Sequence, residues 1–284
     1  MIETQPASKP ARNLGGTMAQ KRQLVTLMTD FGSADYFVGA MKGAALTVYP
    51  DIDFIDITHD VPPHDIFGAA YTLRCCYQDF PRFTTHVVVV DPGVGSKRRP
   101  IFVMTDNYNF IGPDNGVFSY IYQLETINRV IHLTTQYYFR QPLSDTFHGR
   151  DIFGPVAAWY LKGIDPRKMG EEINDYVRLD APEPKQLAPT MMKGAIIHID
   201  RFGNLVTNFT REHVTFERIY GGGRLRVNGR EVPQILATYA EAPAGQPFGY
   251  IGSQGFLEIG IAKASAARTL EARRGMEVDF AFNA

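Results

Sequence analysis

The chain has 284 residues, 29 Lys and Arg against 30 Asp and Glu, and a net charge of −1. That length can bury a sizeable core as one large domain or two. The balance of charge argues against a nucleic-acid groove or an anionic membrane as partner, since both need clustered Lys and Arg; small neutral or zwitterionic ligands fit better.

Cys75 and Cys76 are adjacent in an apolar segment, where sequence neighbours point apart and rarely bridge. A reduced, cytoplasmic protein is the simplest reading. Met1 to Arg22 is rich in Pro, Gly and small polar residues and lacks the apolar centre of a signal peptide, so 1–22 reads as a disordered leader, with Met18 as an alternative start. No apolar run approaches the roughly 20 residues of a membrane span.

In chain order, Leu24 to Thr29 reads as a strand that delivers Asp30 and the turn Phe31-Gly32-Ser33. Apolar residues then recur at helical spacing from Asp35 to Tyr49, with Ser33 as its cap. Asp53 to Thr58 is a second strand, stopped by Pro62-Pro63, and His64-Asp65 open a helix through Phe80. His86-Val87-Val88-Val89-Val90 reads as a strand buried on both faces, so the loop from Asp91 to Pro100 opens at a carboxyl edge, where open α/β sheets bind ligands. Asp91 is an acceptor-only carboxylate, Gly93 and Gly95 let backbone approach closely, and Arg98 is a permanent cation seven positions on. A plain connecting turn with a solvated Lys97-Arg98-Arg99 run is the competing reading.

Ile101 to Thr105 is a further strand, Tyr108 to Gly116 turn material, Val117 to Leu124 helical and Val130 to Leu133 extended. Phe147-His148-Gly149-Arg150-Asp151 precedes a helix to about Leu161, with Asp151 as cap and Trp159 as core anchor. This alternation predicts a layered α/β domain over 23–180 with a mainly parallel sheet. Proline-rich Ala181 to Pro189 reads as a linker, placed at 181–193. Beyond it short apolar runs and the hairpin signal Asn228-Gly229 predict a smaller, mostly antiparallel β-barrel-like domain over 194–284.

Asp30 and Asp91 should share one sheet edge, which suits a general base, a metal site or recognition of a sugar diol. Metal is weakly supported, because no histidine pair has ligand spacing. A ribose diol suits Asp30, although a turn role is equally open. His148 sits in a loop without apolar pattern and is a candidate; the other six histidines read as structural. Ser96 lacks a nucleophile elbow. In Asp200-Arg201-Phe202-Gly203-Asn204, Phe202 offers an aromatic face, Asn204 an amide and Asp200 a partner for an ammonium, though an ordinary β-turn uses the same residues. Gly93-Val94-Gly95 lacks the third glycine of a dinucleotide fingerprint, and Gly221-Gly222-Gly223 precedes a hairpin, so phosphate-bearing cofactors are disfavoured.

Taken together, Thr29-Asp30-Phe31-Gly32, Asp91-Pro92-Gly93-Val94-Gly95, Pro113-Asp114-Asn115-Gly116, Phe147 to Asp151 and Phe202-Gly203-Asn204 resemble, in that order, the motifs of the S-adenosyl-L-methionine hydroxide adenosyltransferases, relatives of the fluorinating and chlorinating enzymes. The resemblance runs from about Leu24 to the C-terminus. It implies a hydrolase that converts S-adenosyl-L-methionine and water to adenosine and L-methionine by attack at the ribose 5′ carbon. It further implies no cofactor and a homotrimer with sites between the N-terminal domain of one subunit and the C-terminal domain of the next. The family's catalytic set falls on Asp91, Arg98 and His148. Asp30 matches the ribose-binding carboxylate, Asp200, Phe202 and Asn204 match positions around methionine and adenine, and Ser253 matches a contact to the methionine end. Water is the weak partner in such a reaction, and these residues would activate and orient it. The halogenating relatives place a tyrosine where Asp91 stands, and Gly149 replaces the hydroxyl-bearing residue of the fluorinating pattern. A non-catalytic adenosine sensor and a halide-dependent enzyme are the alternatives.

Overall fold

The computed structural model describes residues 23–180 and 182–283, so the expected leader at 1–22 lies outside the described residues. The first unit runs β1 (Leu24–Thr29), α1 (Phe37–Val48), β2 (Asp53–Thr58), α2 (Ile66–Cys76), β3 (Thr85–Val89), β4 (Pro100–Thr105), β5 (Asn109–Pro113), α3 (Ile121–Leu124), β6 (Ile127–Leu133), α4 (Gly154–Leu161) and β7 (Gly170–Glu172). Its strands lie in the order β2-β1-β3-β5-β4-β6-β7. The half from β2 to β5 is parallel and the half from β4 to β7 antiparallel, so the sheet is mixed.

The valine run of β3 shows why this unit is layered. Val87 and Val89 pack with Val25, Leu27, Met41 and Phe153 on one face, while Val88 and Val90 pack with Met28, Leu73 and Phe110 on the other. Strict alternation feeds two cores, one under α1 and α4 and one under α2 and α3. Each fully buried valine contributes roughly 2 kcal/mol of transfer free energy.

Residues 109–113, expected as turn, form an interior strand instead. Phe110 and Ile111 each fill one of the two cores, and Gly112 lets the Val88 carbonyl come close; a Cβ there would lie 2.4 Å from that oxygen. Ser33 does not cap α1, which begins after Tyr36 without a side-chain cap. Asp65 does cap α2, accepting from the Gly68 N–H at 2.9 Å. Asp151 caps nothing. Gly149–Phe153 wind as a π-type turn into α4, and Asp151 is buried within it, held by Arg150 at 2.6 Å and by the Ser144 N–H at 2.9 Å.

The second unit comprises β8 (Lys185–Ala188), β9 (Met191–Ile199), β10 (Leu205–Thr210), α5 (Phe216–Tyr220), β11 (Arg224–Val227), β12 (Arg230–Val232), β13 (Pro247–Ile251), β14 (Phe256–Ile261), α6 (Ala266–Thr269) and β15 (Glu277–Ala281). The stretch read as linker therefore includes a strand, β8, paired with β9. The sheet is antiparallel in the order β12-β11-β15-β9-β10-β14-β13, and Ile235 bridges to Gly249 so that its ends nearly close around Phe209, Leu225 and Phe280. Asn228 and Gly229 take φ of 51° and 72°, as a tight β11–β12 hairpin requires. The two units meet along α2, through Arg274 on Asp65 at 2.5 Å and the Tyr71 ring stacked on His198. Cys75 and Cys76 are free, and among the described residues no helix is long and apolar enough to cross a membrane.

His86 supplies a test of this packing. Its ring is wholly buried against Tyr77, Tyr108 and Phe110, with Nδ1 2.7 Å from Thr26 Oγ1, and burial pushes it down to about 3. The fold holds it neutral while the unfolded chain binds a proton below its ordinary value, so stability is lost as pH falls from about 6.5 towards 3. Replacing it by His86→Phe should reduce the drop in unfolding free energy between pH 7 and 4.5 by about 2 to 3 kcal/mol, measured by urea denaturation. An unchanged drop would mean that His86 is not held neutral.

Candidate active site

β1 and β3 are parallel neighbours in register, Thr29 opposite Val89, so Asp30 and Asp91 leave the sheet side by side at its carboxyl edge. Two features seat the Asp91 loop. The Asn115 side-chain amide donates to the Val90 carbonyl at 2.9 Å, so the bend after β5 braces the end of β3. Gly95, at φ +74°, lies against the Asp145 backbone, where a Cβ would stand 2.3 Å from the carbonyl oxygen. Only glycine lets this loop meet the segment that carries His148.

The meeting joins Asp91, Arg98 and His148. Arg98 Nε donates to Asp91 Oδ1 at 3.0 Å and Nη2 to Oδ2, while the same Nη2 lies 3.0 Å from His148 Nδ1. A guanidinium has no acceptor, so Nδ1 must be the acceptor and the imidazole proton sits on Nε2. Burial pushes the Asp91 carboxyl above its usual range despite the Arg98 guanidinium beside it. Burial and then the Arg98 charge hold His148 below its ordinary value, which fits the neutral tautomer. Arg98 Nη1 is buried without a protein acceptor.

Asp91 and His148 line a cavity of about 290 Å³ together with Asp30, Phe31, Phe37 and Phe147. Arg98 is not in its wall but stands behind the pair. Asp30 Oδ2 accepts the His64 N–H at 2.9 Å, and Oδ1 has no partner among the described residues. Phe31, Phe37 and Phe147 form an edge-to-face cluster that makes one wall apolar. A side chain on Gly149 would meet Met41 and Phe31.

Asp200, Phe202 and Asn204 line a different cavity, of about 780 Å³, with Tyr239, Tyr250, Lys263 and Ser265. Asp200 does serve its turn: Oδ1 accepts the N–H groups of Phe202 and Asn204, and Oδ2 accepts Asn204 Nδ2 at 2.7 Å. Phe202 is left 78% exposed, an aromatic face without a cover among the described residues. Ser253 is exposed in the turn before β14 and lines neither cavity. The single chain thus brings together Asp30, Asp91, Arg98 and His148, and separately Asp200, Phe202 and Asn204. A larger cavity of about 950 Å³ opens at the opposite end of β1, β2 and β3 but holds none of these groups.

A family model described as the SAM hydroxide adenosyltransferase N-terminal domain matches residues 25–170, and one for the C-terminal domain matches residues 194–279. The chain belongs to the SAM hydroxide adenosyltransferase family. It is similar to the (R)-S-adenosyl-L-methionine hydrolase of Methanocaldococcus jannaschii, 36% identical over 260 residues that cover 87% of this chain and 91% of the relative. The enzyme of the same name from Thermus thermophilus is 33% identical over 261 residues, 89% of this chain and 98% of the relative. Among solved structures, an uncharacterized conserved protein from Thermotoga maritima superposes with a TM-score of 0.83 at 30% identity, covering 90% of this chain and 99% of that one.

The cavities of this SAM hydroxide adenosyltransferase family member also contain residues that sequence reasoning passed over. His64, read as structural, lines the smaller cavity at φ 66°. Its place after Pro62-Pro63, at the carboxyl edge beyond β2, was the available signal. Tyr239 and Tyr250 lie in stretches without periodicity and gave none.

The tautomer assigned to His148 has a measurable consequence. In Arg98→Met the cation that depresses the imidazole is gone and the Asp91 charge beside it remains, so the His148 midpoint in an NMR titration should rise. A midpoint that stays or falls would show that Arg98 does not face Nδ1.

Proposed function

We propose that this protein hydrolyses S-adenosyl-L-methionine to adenosine and L-methionine. The observation that carries the reading is the mutual contact of Asp91, Arg98 and His148 beside Asp30 at the carboxyl edge of the parallel strands. The names of the relatives from Methanocaldococcus jannaschii and Thermus thermophilus support it.

In the reaction a water oxygen forms a bond to the ribose 5′ carbon as the carbon–sulfur bond breaks, its electron pair leaving with sulfur. Methionine departs as a neutral thioether and needs no general acid. One proton must leave the attacking water. With His148 Nδ1 occupied by Arg98 and Nε2 already protonated, Asp91 is the acceptor, and its raised affinity for protons makes it a better base than an exposed carboxylate. His148 Nε2–H is then a donor that orients the oxygen. Held about 3 Å from the carbon and in line with sulfur, that oxygen gains several kcal/mol from positioning alone.

Asp30 Oδ1 is assigned to the ribose diol, Phe202 and Asn204 to adenine, Asp200 to the methionine ammonium and Ser253 to the methionine end. Because the last four are not in the Asp91 cavity, the reading calls for a homotrimer in which one subunit's β unit faces the next subunit's α/β unit. It places the enzyme in the cytoplasm, with S-adenosyl-L-methionine as substrate and no cofactor.

Incubation with S-adenosyl-L-methionine in oxygen-18 water should yield adenosine labelled at the 5′ oxygen. Tight binding of intact substrate would favour a sensor, and a 5′-halogenated product formed only with added halide would favour a halogenase. Asp91→Asn and His148→Ala should each lower kcat by about 10²- to 10⁴-fold, with smaller effects on KM. Asp30→Ala should instead raise KM by roughly 10- to 100-fold, as loss of a charge-assisted contact implies. The base must be ionised to act, so kcat should fall as pH drops through the raised Asp91 value; an acid limb at or below pH 3.8, where an ordinary Asp titrates, would exclude Asp91.

A further inference from the structure

The turn that carries Asp30 is held from behind by the segment that follows β2. The Gly32 N–H donates to the His59 carbonyl at 2.7 Å, the His64 N–H donates to Asp30 Oδ2 at 2.9 Å, and the Thr29 hydroxyl meets His59 Nδ1 at 2.9 Å. Thr29 is wholly buried, and the His59 side chain is only 10% exposed. Neither lines the cavity that Asp30 enters.

Counting protons fixes the direction of the contact between Thr29 and His59. Asp56 Oδ1 stands 3.2 Å from His59 Nε2, off the line of a hydrogen bond, while Asp56 Oδ2 accepts Lys42 Nζ from α1 at 2.7 Å. A carboxylate can only accept, and a ring lone pair aimed at it would be repelled. The neutral imidazole therefore carries its hydrogen on Nε2 and leaves Nδ1 as an acceptor. The single hydrogen of the Thr29 hydroxyl then goes to Nδ1, and the lone pairs of Oγ1 remain for the Phe31 N–H, 3.2 Å away. No hydrogen is used twice. The bond from Phe31 back to Thr29 spans Asp30 itself, in the manner of a turn closed by a hydroxyl.

We propose that His59 is a positioning residue that acts through the Thr29 hydroxyl to aim Asp30 Oδ1 at the ribose diol. This rests on the assignment of Asp30 to the diol made above. Without the ring, Thr29 is free to turn its hydroxyl elsewhere and the Phe31 N–H loses a partner. The Asp30 carboxylate and its charge remain, but Oδ1 is no longer held in one direction.

The test compares adenosine with 2′,3′-dideoxyadenosine, which lacks both hydroxyls, by calorimetry. It also measures kcat and KM for S-adenosyl-L-methionine cleavage, with thermal unfolding to confirm that each variant is folded. His59→Leu and Thr29→Val should each weaken adenosine binding and raise KM by about three- to tenfold, with kcat within about twofold and dideoxyadenosine affinity unchanged. His59→Asn places an amide oxygen where Nδ1 stands and Thr29→Ser keeps the hydroxyl, so both should bind adenosine within about twofold of wild type. His59→Leu combined with Thr29→Val should lose no more than about twofold beyond the worse single variant, because both break one bond. Equal losses for the two ligands, unchanged adenosine affinity in His59→Leu, or no rescue by His59→Asn would overturn the inference. If His59→Leu does not fold, Thr29→Val reads the same bond from its other side, and unchanged adenosine affinity there is equally decisive. Asp30→Ala separates this failure from that of the underlying reading: it should weaken adenosine binding whatever His59 does, and unchanged affinity in it would overturn the diol assignment together with the inference.

Discussion

The ion pair between Asp91 and Arg98 is the constraint on which the site depends. Their side chains are only 5% and 7% exposed, so burial acts against both charges, and each is tolerable only because the other is present. Removing one partner of such a pair leaves an uncompensated buried charge worth about 3 to 5 kcal/mol. The bidentate geometry leaves the loop after β3 little freedom, and the second hydrogen of Arg98 Nη2 reaches a third residue, His148, from a segment fifty positions away. Gly95 against Asp145 and Asn115 on the Val90 carbonyl then read as the local conditions under which that three-way contact forms. The backbone follows the charge.

Much of this was legible in the sequence because it depends on local pattern. A run of four valines predicts a strand buried on both faces, and Asp30 and Asp91 fall at its edge by simple counting. The Asn228-Gly229 hairpin and the helix start at His64-Asp65 are short-range chemistry and could be read directly. What was misread lies where tertiary packing overrides local signals. Gly112-Pro113 looked like a turn, yet Phe110 and Ile111 insert that segment into both cores, and Gly112 is there for close approach of the Val88 carbonyl. Asp151 looked like a helix cap, yet Arg150, Arg140 and the Ser144 N–H draw it into a π-type turn. Tyr239, Tyr250 and Glu258 were invisible because they meet only in the fold, from the turn before β13, from β13 and from β14, with no periodicity or motif to mark them.

The two cavities differ in chemistry as well as in place. The α/β unit offers carboxylates, an imidazole and phenylalanine edges, in a cavity of about 290 Å³. The β unit offers an oriented amide, an exposed phenylalanine and phenols in a more open one of about 780 Å³. Neither alone has the inventory for an adenosyl group joined to an amino acid: the first lacks a side-chain amide for a base edge, and in the second the Asp200 carboxylate is already engaged by its own turn and by Asn204. Under the proposed reading the division of labour is complementary, with reaction on one surface and recognition on the other, and a contact between copies is what would unite them.

The placement of Arg98 behind Asp91, and not in the cavity wall, follows from the charge of the proposed substrate. S-adenosyl-L-methionine brings a sulfonium and an ammonium, and a bare guanidinium lining the cavity would repel both. Set behind the carboxylate, Arg98 meets that substrate only through Asp91, whose negative charge faces the cavity first. From there it can still fix the His148 tautomer and keep the buried carboxylate ionised. The same arrangement changes the balance once reaction occurs: bond cleavage removes the sulfonium charge and the departing proton reaches Asp91, so the attraction that held the substrate weakens as products form. A site built on a shielded cation therefore holds the charged substrate more firmly than the neutral adenosine product, so the product is released more readily once the charge is gone.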